Sequence, residues 1–135
     1  MSSDQQRNKV LEEKRHVSSK ISDLSRYIGF GLVAVAYAIL TSSSADIASL
    51  YGERRFLVLL AAAFGTLAVI LDYVQFLSGY LAVQAALKNK AGDFEYDDSS
   101  FPYKLRSAAF WGKQFASLAG ASIFAVALGI ALACG

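Results

Sequence analysis

At 135 residues the chain has room for one domain. It is 55% hydrophobic, with a mean hydropathy of +0.39 and a net charge of +2, too small a positive charge to argue for a nucleic-acid partner. Cys134 is the one cysteine and His16 the one histidine, which excludes an internal disulfide and, within one chain, a Cys/His metal site or a Cys–His nucleophile pair.

Nearly all the charge lies outside three apolar blocks, residues 24–40, 56–75 and 110–133. A helix on the surface of a soluble protein is apolar along one stripe, whereas these blocks are apolar all round. About 20 such residues cross the hydrocarbon core of a bilayer. The expected fold is therefore an all-α integral membrane protein, a single membrane domain over residues 1–135. It has three transmembrane helices, an N-terminal amphipathic cytoplasmic helix, and a long second helix extending into the cytoplasm. Eleven of the thirteen basic residues fall on one side of such a topology. They are Arg7, Lys9, Lys14, Arg15, Lys20 and Arg26 before the first span, and Lys88, Lys90, Lys104, Arg106 and Lys113 around the second loop. The positive-inside rule then places the N-terminus in the cytoplasm and the C-terminus outside, in the inner (plasma) membrane.

Residues 3–25 are polar and helix-prone. Val10, Val17 and Leu24 recur every seven residues, Ile21 and Ile28 fill the alternate seam position, and Lys14 takes that position one heptad earlier. Under three heptads make a helix that lies along the membrane surface, or one that docks on another copy or a cytoplasmic partner. The first span, 24–40, offers Gly29, Gly31, Ala34 and Ala38 for close helix approach. The basic leader, the apolar run and small Ser43 and Ala45 also fit a signal peptide cleaved near residue 45, although 26 polar residues make a long leader. In the outer loop, TSSSADIASLYGERR, Ser43 or Ser44 caps a turn across residues 46–50.

The second block runs on as FLVLLAAAFGTLAVILDYVQFLSGYLAVQAAL, with one acid, Asp72. At 1.5 Å per residue, about 20 residues exhaust the hydrocarbon near Gln75. Residues 56–75 are thus the span and 76–90 its cytoplasmic extension, with Asp72 about one turn inside the inner edge. Ala61, Gly65, Ala68, Asp72, Gln75, Gly79, Ala82 and Ala86 follow alternating steps of four and three, a small or polar seam suited to helix packing within or between protomers. The inner loop, 91–107, carries the acids Asp93, Glu95, Asp97 and Asp98 but lacks the spacing of an EF-hand, so no metal is expected. The third span, 110–133, enters through Trp111 and carries a second small-residue stripe, Ser117, Ala121, Ala125 and Gly129, with Lys113 in line with it.

A charge in hydrocarbon needs a partner, a wet cavity or a neutral form. Arg26, Asp72 and Lys113 reach comparable depth, so Asp72 pairs with Lys113, with Arg26 as the alternative partner or a third member; or it lines a pore, with Gln75 and Gln84 extending the polar line; or it reaches water or headgroups alone. No hydrolase, P-loop or dinucleotide fingerprint is present, and neither catalysis nor a cofactor is expected.

A basic N-terminal helix, two spans joined by a short loop, and a second span continuing inward as LDYVQFLSGYLAVQAAL together resemble the SLATT class over residues 7–87. Those are small bacterial membrane effectors proposed to oligomerise into pores. The resemblance implies a homo-oligomeric pore-forming or membrane-perturbing effector whose partners are the lipid bilayer and further copies of itself. The alternative is an accessory subunit that holds a cytoplasmic or membrane protein through residues 3–25 and 88–107.

Overall fold

Three long helices form over the three apolar blocks, and each overruns its block with polar residues. The computed structural model describes residues 3–88 and 100–134. Helix α1 is Ser3–Thr41, α2 the short Ala45–Tyr51, α3 Arg55–Lys88 and α4 Phe101–Cys134. A 3₁₀ turn, Gly52–Arg54, leads from α2 into α3. Ser44 takes the N-cap position of α2, without a side-chain capping bond. The helices α1, α3 and α4 are each long and apolar enough to cross a membrane.

Two boundaries differ from the sequence reading. The polar helix 3–25 and the first span 24–40 are one continuous helix. Between Ser3 and Ile28 there is no Gly or Pro, and straight-chain Gln, Lys, Glu and Arg hold helix without penalty. The third long helix starts at Phe101, so residues 101–107 belong to it and not to the inner loop. Pro102 stands in the first turn, where its missing N–H leaves no bond unmade, so it opens the helix. The second helix ends at Lys88, close to the expected extension 76–90. The acids Asp93, Glu95, Asp97 and Asp98 lie outside the described residues.

Contacts between the long helices fix their directions. Ser22 meets Asp72 while Gly29 meets Gly65, so α1 and α3 are antiparallel. Asp72 meets Lys113 while Ala61 meets Gly120, so α3 and α4 are antiparallel as well. Ser22 with Lys113 and Leu32 with Gly120 make α1 and α4 parallel. The start of α1, the end of α3 and the start of α4 therefore share one end of the bundle, called the charged end below. The opposite end is closed by α2, where Tyr51 packs with Ala36, Val58 and Ala131, and Ile47 lies against them.

The bundle is small inside and large outside. Inward positions on α1 are Ser22, Ser25, Gly29, Leu32 and Ala36; on α3 they include Ala61, Gly65, Ala68 and Asp72; on α4 they include Ala109, Lys113, Ala116, Gly120 and Ala127. Each set steps by threes and fours, the period of one helix face. At Gly65 a methyl group would lie 2.8 Å from the Gly29 carbonyl oxygen, and at Gly29 one would lie 2.9 Å from the Gly65 carbonyl oxygen. The two backbones touch there, which any side chain would prevent. Phe30, Tyr37, Leu59, Ile70, Phe115 and Leu118 point outward instead, an arrangement that suits lipid because lipid exerts no hydrophobic pressure to bury them.

Candidate functional site

The polar residues of the bundle interior are concentrated at one level. Ser22, Ser25 and Arg26 come from consecutive turns of α1, Asp72 from the α3 seam, and Lys113 with Ser117 from α4. Lys113 is completely buried, and its ammonium donates to Asp72 Oδ1 and to Ser22 Oγ. Arg26 Nε donates to Asp72 Oδ2 at 2.6 Å, and Ser22 Oγ lies 3.5 Å from Asp72 Oδ1. Arg26 also sits 3.6 Å from Asp23, one turn earlier on α1, with its guanidinium 5.2 Å from the centre of the Phe76 ring.

The four charges form a chain of alternating sign, Lys113–Asp72–Arg26–Asp23, which sums to zero. It begins at a cation with no solvent access and ends at the half-exposed Asp23. Each buried charge has an opposite neighbour, the condition under which ions are tolerated in low dielectric. Among the described residues Asp72 is the single carboxylate that meets Lys113, whereas Asp72 has two cations.

A turn further toward α2 the polar layer continues without charge. Ser25 Oγ donates to Gln114 Oε1 at 2.5 Å, and Ser117 Oγ donates to the Ser25 carbonyl at 3.1 Å and to the Lys113 carbonyl at 2.8 Å. These hydroxyls join α1 to α4 beside the ion pairs. Among the described residues no three His, Cys, Asp or Glu side chains are grouped so as to hold a metal.

The depth of this layer follows from counting residues. Arg55 to Asp72 is about 26 Å along α3, Thr41 to Ser22 about 28 Å along α1, and Lys113 to Cys134 about 32 Å along α4. All three are close to one hydrocarbon thickness, about 30 Å. Beyond the layer α1 continues for some 28 Å and α3 for about 24 Å.

The residues expected to carry chemistry therefore divide. Asp72, Lys113 and Arg26 form one cluster. Gln75 does not join it. It stands one turn nearer the charged end, and its Oε1 is buried with no hydrogen-bond partner among the described residues. Of the packing positions, Ala61, Gly65, Ala68 and Ser117 are buried, and Gly79 and Ala121 are half-buried. Ala125 and Gly129 face outward, and nothing lies within 4 Å of where a Gly129 Cβ would be. A stripe of successive four-residue steps turns by about 40° per step around a helix of 3.6 residues per turn. By Gly129 it has left the inner face.

Sequence reasoning missed Ser22 and Ser25. The signal for them is the run Lys14, Ser18, Ser22, Ser25 and Gly29, polar or small at helical spacing, about a quarter turn round the helix from Val10, Val17 and Leu24. That seam, Val10, Val17, Ile21 and Leu24, is turned out of the bundle. Neither a protein-family model, nor a curated protein, nor a solved structure matches the chain.

Proposed function

We propose that the chain is a non-catalytic integral membrane protein that assembles with copies of itself to form a pore or to perturb the membrane. In this reading the charged end is cytoplasmic, because ten of the twelve basic residues among the described ones lie there. The Asp72 layer then marks the inner edge of the hydrocarbon, and the chain of four charges is a lock that fixes helix register within a protomer.

One observation carries the assembly. Val10, Val17 and Leu24 are 65%, 48% and 60% exposed and lie in line along α1. Val17 and Val10 stand about 8 Å and 18 Å past Ser22, outside the hydrocarbon when Ser22 marks its edge. Val10 and Val17, apolar and exposed in water beyond that edge, make a docking face, and the seven-residue spacing that runs on to Leu24 suits a second helix of the same kind. Leu87 and Tyr80 are also exposed, on the stretch of α3 beyond the Asp72 layer. Three helices packed on small residues are too few to enclose a path, so conduction requires several protomers.

The test sizes the full chain by native mass measurement from detergent and follows ion flux in liposomes. Discrete oligomers with flux are the expected outcome. A strict monomer without flux would overturn the proposal and leave the seam as a face for a different protein.

A further inference from the structure

We infer that the charged end of the bundle contains a binding site for a phosphate-bearing anion, set between α1, α3 and α4. A cleft opens there in two lobes of about 460 and 430 Å³, both bordered by Lys14, Ser18, Gln75 and Arg106. Ligand sites are commonly of this size. Arg15 and Ser19 line the first lobe.

Among the described residues no carboxylate is left over to neutralise the charge on this cleft. The Lys113–Asp72–Arg26–Asp23 chain balances itself, and Asp23, the acid on the cleft wall, is occupied by Arg26. Lys14, Arg15 and Arg106 make no ion pair with any described carboxylate. Three cations from two helices thus converge on one opening, beside the hydroxyls of Ser18 and Ser19. Arg106 is placed by α3: its Nε would be 3.7 Å from a methyl at Gly79, so the guanidinium lies across a glycine notch. Gln75, on the wall of both lobes, adds a carboxamide whose Nε2 is able to donate to a phosphate oxygen. Guanidinium and ammonium groups with hydroxyl donors are the recognition set for phosphate oxygens.

The rim favours a lipid as the source of that phosphate. Tyr103, Phe110 and Trp111 border one lobe and Leu11 and Phe76 the other, so an apolar wall adjoins the cations. Trp and Tyr prefer the membrane interface, and basic pockets between helices on the cytoplasmic side hold anionic headgroups. This choice of source rests on the orientation proposed above; the phosphate chemistry does not.

The experiment measures lipid retention by the full chain in mixed micelles of phosphatidylglycerol and phosphatidylcholine, by native mass measurement, with inorganic phosphate added in a separate arm. The wild-type chain retains phosphatidylglycerol selectively. The double change Lys14→Gln/Arg106→Gln weakens retention roughly thirtyfold, at five- to sixfold per cation. A control of equal charge, Lys9→Gln/Lys104→Gln, lies off the cleft and leaves retention unchanged. Displacement by millimolar inorganic phosphate, without selectivity for phosphatidylglycerol, would assign the same site to a soluble phosphate compound. Equal loss in both variants, or no binding of either probe, would overturn the inference. All three chains are scored for helicity, and oligomer size and flux are read separately, so a failed pore and a failed anion site give different results.

Discussion

Asp72 has two cations and Lys113 one carboxylate, and that asymmetry ranks their substitutions. Asp72→Asn leaves a fully buried ammonium without a counter-charge and should cost about 3–5 kcal/mol. Lys113→Met leaves Asp72 paired with Arg26 and places an apolar chain in the bundle, so a smaller loss of about 1–3 kcal/mol is expected. Arg26→Gln, at the wetter end, should cost on the order of 1 kcal/mol. The double change Asp72→Asn/Lys113→Met should cost less than the sum of its parts, because the partners are coupled. Reversible unfolding in mixed micelles reads all four; strict additivity would mean that the two groups do not share an interaction. The three charges were legible in the sequence, because a charge in an apolar run demands a partner and equal depth names the candidates. Ser22 and Ser25 were not, because a serine carries no comparable penalty and several others stand nearby.

The contact of α1 with α3 depends on two glycines whose backbones touch. Gly65→Ala puts a methyl group 2.8 Å from a carbonyl oxygen that belongs to helix backbone and cannot swing aside. The helices must separate, at a cost of about 1–3 kcal/mol. Gly31→Ala meets nothing within 4 Å and should be neutral or stabilising by up to about 1 kcal/mol, the gain in helix propensity. Thermal unfolding of the two variants in one detergent checks the pair, and equal shifts would contradict the close approach. The α3 face could be read from its alternating four-and-three steps. On α4 the uniform four-residue stripe drew the eye, but the inner face is Ala109, Lys113, Ala116, Gly120 and Ala127, which keeps the helical period where the stripe precesses away. On α1 hydrophobicity pointed to the outer face, because in a membrane bundle the apolar residues need not be the buried ones.

Across the whole molecule the lengths do not match a single bilayer. Helix α1 is about 58 Å long, against about 40–45 Å for a bilayer with its headgroups. With the Asp72 layer at the hydrocarbon edge, the surplus falls at the charged end. That end carries the basic cleft, and Val10, Val17 and Leu24 are exposed on α1. The two features have separate roles in this account: the cleft takes an anion, and the seam takes another copy. The most direct measurement is disulfide trapping across that seam. Cys134→Ser removes the native thiol, and Val17→Cys then places one thiol per chain on the exposed α1 face. Oxidation in native membranes should trap a covalent dimer in high yield, while Tyr37→Cys, on the outer surface of the membrane-spanning part of α1, should trap little. No cross-link through Val17→Cys, in a chain that still inserts, would contradict assembly through α1.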